Sequence, residues 1–204
     1  MAFDISPSRK PHKAAPGRGR RGRGPREATA KYLRNSARYY LDRYATSSAH
    51  LRRLLLDKVA RSARAHGTDP QAGAAAVDAL IAEFLGAGLL DDARYAEDRA
   101  LALFRRGASA RAIRGALLAK GVASELIEPA LERLGAEAAE PELAAALACA
   151  RRRRLGPYRS PQARAAMREK DLAALGRRGF GYELARRVIE TGDLRELEDE
   201  AGAR

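Results

Sequence analysis

Apolar residues recur along this chain at three- and four-residue steps, and polar punctuation divides the stripes into nine segments. That spacing puts an apolar face on a helix. The first segment runs from about Ala28 to Tyr44, with Tyr32, Ala37, Tyr40 and Leu41 near one face. Ser47 or Ser48 caps the second, which carries Leu51, Leu55, Leu56 and Val59. Asp69-Pro70 opens the third as an N-cap followed by proline at the first helical position. Its stripe is Val77, Leu80, Ile81 and Phe84, and Gly86 and Gly88 end it. Asp91 and Asp92 open the fourth as caps whose charge complements the helix dipole, and Gly107 closes it. Ser109 caps the fifth, which stops at Gly121; Ser124 caps the sixth, which fades at Gly135. Pro141 and Glu142 open the seventh, which runs through Cys149 into Arg151–Arg154 and stops at Gly156-Pro157. The eighth starts at Ser160-Pro161 and stops at Gly179, and the ninth spans about Gly181 to Thr191.

The stripes repeat. Ile113, Leu117, Lys120, Gly121 and Val122 have a second copy fifty-eight residues on, where Leu175, Arg178, Gly179 and Phe180 match Leu117, Lys120, Gly121 and Val122. A weaker copy lies sixty-two residues upstream: Leu51, Leu55, Leu56 and Lys58 match Ile113, Leu117, Leu118 and Lys120, but Val59 stands where the glycine should be. Each copy is a helix with a cation in its last turn, a stop and a second helix. Gly121 and Gly179 are expected in left-handed positions after the helix end. Self-similarity at a fixed period points to an array of helical units, which offers a long surface rather than a pocket. Nine helices in three triplets place the repeats at 28–90, 91–135 and 136–192, after a tail at 1–27 and before a charged, frayed end at 193–204.

Composition agrees. Hydrophobic residues make up 46% of the 204, but only 5% are aromatic and there is no Trp. The apolar mass is Ala and Leu, which favours helix, and no alternating β-branched stretch suggests a sheet. The fold class is therefore all-α.

Charge changes the picture further. The formal net charge is +13. Residues 1–28 hold eight Lys/Arg against Asp4 and Glu27, and the remainder holds thirty-one against twenty-four, so the folded part is basic in its own right. A basic surface favours polyanions through counterion release. The tail, with Gly17-Arg-Gly-Arg-Arg-Gly-Arg-Gly-Pro25, cannot bury apolar surface and reads as a disordered polycation. Its Gly17, Gly19 and Gly22 match a dinucleotide fingerprint in spacing only, since no strand precedes them.

Catalytic signatures are missing. There is no phosphate-binding loop ending in Gly-Lys-Ser/Thr, no pair of His at metal-ligand spacing, and no nucleophile on a tight turn. One Cys and three scattered His make neither a disulfide framework nor a metal site. No apolar run reaches membrane-spanning length, and the N-terminus has no apolar signal region. The sequence reads as a non-enzymatic, cofactor-free, reduced cytoplasmic protein. Its cations recur near corresponding ends of the repeats: Arg105, Arg106, Arg111, Arg114 and Lys120 in the fourth and fifth helices, Arg151, Arg152, Arg153 and Arg154 at the end of the seventh, and Arg177 and Arg178 before Gly179. Each cluster alone reads as a solvated face; their recurrence makes them candidate contacts. Aromatics near these arginines reduce to Tyr158, Phe180 and Tyr182.

From Tyr32 to Thr191 the chain resembles the RecX family, bacterial regulators of the RecA recombinase. The resemblance rests on Gly88-Leu-Leu-Asp-Asp-Ala-Arg-Tyr-Ala96, on Arg106-Gly107 leading to Ile113, Leu117 and Lys120-Gly121-Val122, and on Leu175-Gly-Arg-Arg-Gly-Phe180. Val59 in place of a glycine, Ser109 where members often carry a second glycine, and the long tail depart from the family pattern. The resemblance implies three tandem three-helix repeats in a curved, elongated array. It also implies binding in the helical groove of the RecA filament on single-stranded DNA, restraining its ATPase, strand-exchange and coprotease activities in recombinational repair and the SOS response. The expected protein is a monomer. The competing reading is an autonomous helix-turn-helix DNA binder built on Leu117–Leu126. Its recognition helix, Ser124 to Leu134, would carry Glu125, Glu128, Glu132 and Pro129 into the major groove, which disfavours it. A peptide-binding scaffold is a third possibility, in which the charge has no special role.

Overall fold

The computed structural model describes residues 24–202, and every regular element among them is helical. The disorder expected of the basic tail falls on residues that lie almost wholly outside that range. The helices fall into triplets that pack within themselves: α1 (Ala30–Leu41), α2 (Ser48–His66) and α3 (Pro70–Gly86); α4 (Asp92–Phe104), α5 (Ala110–Ala119) and α6 (Ser124–Glu132); α7 (Pro141–Arg153), α8 (Pro161–Gly176) and α9 (Tyr182–Glu190). A tenth helix, α10 (Leu194–Ala201), follows.

Local chemistry explains most boundaries. Thr29, Ser47, Asp69, Asp91 and Ser109 each accept a backbone N–H of the helix they cap, an interaction worth about 1 kcal/mol. Ser47 rather than Ser48 is the cap of α2. Ser124 is the first residue of α6, not its cap; Ala123 holds the cap position without a side-chain bond. Ser160 sits at the cap of α8, also without one. Gly121 and Gly179 have φ of +74° and +93°, the left-handed values expected of them. In α2 the glycine is replaced by Val59, and the helix runs on to a left-handed Gly67. Val59 is buried there, and a Cβ on Gly73 of α3 would lie 2.5 Å from its Cγ1. The missing glycine thus lengthens the helix and moves the close approach to its neighbour.

The core has two parts. Leu33, Leu51, Leu55, Val77 and Phe84 fill the first repeat. A second, continuous core runs through repeats two and three, from Ala96 and Ile113 to Leu175 and Val188. The Ala-rich α7 is buried from Leu143 to Leu147 and again at Cys149 and Ala150, as expected of a helix that is apolar all round.

The C-terminus is not frayed within the described residues. Asp193 accepts the N–H groups of Arg195 and Glu196, and α10 buries Leu197 and Ala201 against the core containing α7. The Glu140 N–H donates to the Ala201 carbonyl at 3.2 Å. A charged stretch is held by tertiary contacts that its own composition does not announce.

Successive repeats are joined by a hydrogen-bonded clasp that itself repeats. Ser47 Oγ donates to the Lys120 carbonyl at 2.5 Å, and Ser109 Oγ donates to the Arg178 carbonyl at 2.7 Å. In each case a cap serine reaches the turn that ends the second helix of the next repeat. A carboxylate returns the contact. Asp92 accepts the Ser48 N–H at 2.7 Å, and Glu142 accepts the Ala110 N–H at 3.0 Å. Asp91 therefore caps its own helix, as its position suggested, whereas Asp92 is turned toward the preceding repeat. A Cβ on Gly121 would meet Ala49 at 2.6 Å, and one on Gly179 would meet Ser109 Oγ at 2.7 Å, so the turns fit without side chains.

Candidate polyanion-binding junction

The clasp between the second and third repeats brings the ends of α4, α7 and α8 beside the start of α5. The connecting loop passes close to α7: a Cβ on Gly107 would lie 2.5 Å from the Cys149 nitrogen. Arg152 Nη1 approaches the Arg106 carbonyl at 3.5 Å. The Arg111 side chain lies over Gly179, with Cβ 3.3 Å from where a glycine Cβ would stand. Burial pushes the Cys149 thiol up from its ordinary value, and the positive charges of Arg178, Arg153 and Arg152 pull it part of the way back. The thiol is thus kept protonated and structural, and those three guanidinium groups are electrostatically close to it.

Arg106, Arg111, Arg152, Arg153 and Arg178 are all exposed, and among the described residues none forms an ion pair. Gathering like charges without counter-charge opposes folding and favours a bound polyanion. The other candidate residues are placed differently. Arg105 pairs with Glu137 at 2.9 Å, Arg114 with Glu128 through two nitrogens at 2.8 and 2.9 Å, and Arg151 with Glu198 at 3.3 Å. Arg154 is not on the helix: it adopts φ +55° as the cap of α7, so three arginines rather than four point around the helix circumference. Arg177 is exposed at the cap of α8.

Lys120 belongs to the other junction, between the first and second repeats. It is half-buried, with Nζ 3.4 Å from His50 Nε2, while Arg53 Nη2 lies 2.7 Å from His50 Nδ1. Burial pushes the His50 pKa down, and Lys120 and Arg53 push it further. The ring stays neutral between two cations. The aromatics expected near the arginines contribute little: Phe180 is buried, and the Tyr158 hydroxyl is bound to Glu198 at 3.0 Å. Tyr182 alone of the three is well exposed.

The family model for the second three-helix domain of RecX matches residues 91–131, the span from the Asp91 cap to the last turn of α6. The regulatory protein RecX of Myxococcus xanthus (strain DK1622) is 40% identical over 168 residues, covering 82% of this chain and 89% of that protein. The chain belongs to the RecX family. The regulatory protein RecX of Agrobacterium fabrum (strain C58 / ATCC 33970) is 34% identical over 169 residues, 81% of this chain and 85% of that protein. No solved structure gives a significant match. The RecX match at 91–131 includes Asp91, Asp92, Gly107 and Gly121, the residues that start α4, build the clasp and permit its close approaches.

Two groups escaped the sequence reading. Ser47 and Glu142 carry half of each clasp, and a local pattern shows Ser47 only as a cap and Glu142 only as a first-turn acid. Asp171 is 1% exposed and accepts the Gly156 N–H at 2.9 Å and Arg159 through two nitrogens at 2.6 and 2.7 Å. It stands fifty-eight residues after the core residue Ile113, and that misalignment with an apolar position was its only signal.

Proposed function

We propose that this RecX-family protein binds the RecA filament on single-stranded DNA and restrains its ATPase, strand-exchange and coprotease activities, acting as a monomer without catalysis or cofactor. The observation that carries the reading is the convergence of Arg106, Arg111, Arg152, Arg153 and Arg178 on one repeat junction without carboxylate partners among the described residues. A filament groove is polyanionic and repeats at each protomer. A repeat array that engages it at several points needs only weak individual contacts. The helix-turn-helix alternative fares worse, because α6 presents Glu125, Glu128 and Glu132 to solvent and Glu128 is engaged by Arg114.

The test is the DNA-dependent ATPase of RecA. The protein is expected to lower it at substoichiometric to equimolar ratios, with the effect weakening as salt rises. Arg152→Gln, Arg153→Gln and Arg178→Gln combined should keep the helical signal, since exposed substitutions cost little stability. The combination should flatten the slope of log affinity against log salt by about 2, at roughly 0.7 per lost phosphate contact on single strands. Tight, sequence-selective duplex binding with no effect on RecA would instead favour the helix-turn-helix reading.

A further inference from the structure

Four of the seven tyrosines, Tyr32, Tyr39, Tyr40 and Tyr44, lie within thirteen residues of the first repeat, far in sequence from the arginine junction. Tyr32, Tyr39 and Tyr40 line a groove between α1 and α2 with a volume of about 510 Å³. That lies within the usual range of small-ligand pockets, about 300–1,000 Å³. Arg26, Lys58 and Arg61 line it as well, against a single carboxylate, Asp57. None of these three cations forms an ion pair among the described residues; Arg61 reaches only the Asp57 backbone carbonyl, at 3.1 Å. Core packing accounts for Tyr40, which rests against the first-repeat core, but not for Tyr39. Tyr39 is 62% exposed, and its ring is covered by the Arg43 guanidinium at 3.7 Å from the centroid. Lys58 Nζ lies 5.4 Å from the Tyr32 centroid.

The groove is continuous with a second opening of about 440 Å³, which shares Arg26, Tyr32, Lys58 and Arg61 and is bounded by Gly24 and Pro25. Those last residues are the root of the basic tail. Pro25 is held there by its carbonyl, 2.7 Å from His66 Nε2, and Ala28 N–H donates to Ser62 Oγ at 2.9 Å. The sequence immediately before Gly24 is Gly17-Arg-Gly-Arg-Arg-Gly-Arg23. Flat aromatic faces, unpaired cations and the attachment point of a polycationic segment therefore meet in one place.

We infer that this groove is a stacking site for the unpaired bases of bare single-stranded nucleic acid, with Arg26, Lys58 and Arg61 holding its phosphates. Stacking requires splayed bases, which a duplex does not offer, and it tolerates any sequence because every base has a π-face. The arginine already stacked on Tyr39 orients that ring and adds a cation–π contribution. The site stands apart from the filament-binding junction, and its test contains no RecA.

With no Trp in the chain, emission comes from the seven tyrosines alone, and the part of the quenching lost in Tyr39→Ala reports on the groove. The full chain is titrated with a sixteen-residue oligothymidylate, an abasic oligonucleotide of equal length and polyglutamate, following tyrosine quenching and fluorescence anisotropy. The oligothymidylate is expected to bind more tightly than the abasic strand and to quench. Tyr39→Ala should weaken it about 5- to 150-fold, the range of one lost base stack, while leaving the abasic strand unchanged. Tyr39→Phe should restore the binding, and circular dichroism should show both variants folded. Lys58→Gln with Arg61→Gln should weaken both strands alike and flatten their salt dependence. The inference is overturned if wild type binds the abasic strand or polyglutamate as tightly as the oligothymidylate, or if Tyr39→Ala leaves oligothymidylate affinity unchanged.

Discussion

Asp171 occupies a place where the preceding repeat has the core residue Ile113, and the reason is the turn that only the third repeat contains. Between α7 and α8 the chain makes a short 3-10 turn at Gly156–Tyr158, whose first N–H points inward. A buried donor without a partner costs about 1–3 kcal/mol, so an aspartate replaces the aliphatic side chain and Arg159 balances its charge. Burial pushes the Asp171 carboxyl up, but hydrogen bonds from Arg159 and the Gly156 N–H outweigh it and hold the group below its ordinary value of 3.8. A depressed folded-state pKa contributes stability that is present above the unfolded value and lost as pH falls through the folded one. The melting temperature should therefore decline as pH drops below about 4, where unfolded aspartate begins to take up protons. Asp171→Asn should flatten that acid limb and destabilise the neutral protein by about 2 kcal/mol, because Arg159 loses its partner. Thermal melts of both proteins from pH 3 to 7 check this; parallel curves would show that Asp171 does not carry the dependence.

At the scale of elements, the parts written locally were legible and the parts written between elements were not. Gly121 and Gly179 announce their left-handed turns because φ above zero demands glycine at little cost. Asp69-Pro70, Asp91 and Ser109 announce helix starts. Asp92, by contrast, reads as a second cap for α4 and turns out to serve α2, since no local pattern records a partner forty-four residues away. The arginine junction was half legible: charge and repeat phase picked out Arg106, Arg111, Arg152, Arg153 and Arg178, but not that Arg105, Arg114 and Arg151 are tied to Glu137, Glu128 and Glu198. Tyr32 and Tyr40 were read as apolar face alone, because a helical stripe does not distinguish a ring in the core from one beside it, and Tyr39, off the stripe, was not picked out. The last helix shows the same limit. Its stretch is rich in acids, and Leu197 and Ala201, buried against the shared core with Leu194 packed beside them, give it a place. Ending the chain after Gly192 should expose that surface and destabilise by about 2–3 kcal/mol, chiefly through the lost Leu197 burial. Chemical denaturation of the shortened chain checks this, and an unchanged midpoint would mean that α10 contributes nothing to the third repeat.

For the molecule as a whole, the separate core of the first repeat leaves the clasp at Ser47, Ser48, Asp92 and Lys120 to hold its angle to the second. Repeat arrays are stabilised by such nearest-neighbour terms. If the array grips a filament at several points, its rigidity matters separately from its charge, because a looser joint lowers the effective concentration of each later contact. Asp92→Ala separates the two. Asp91 still caps α4, so the helix should persist, while the bonds that Asp92 accepts from the Ser48 N–H and the Ser48 hydroxyl are both lost and the junction weakens by about 1–2 kcal/mol. No cation is removed. Affinity for the RecA filament should then fall several-fold with the salt slope unchanged, whereas Arg152→Gln with Arg153→Gln should lower the slope itself. Co-sedimentation with filaments at stepped salt concentrations reads both quantities. A changed slope in Asp92→Ala, or full affinity despite a demonstrably weakened junction, would mean that charge alone sets the grip and that the fixed angle between repeats plays no part in it.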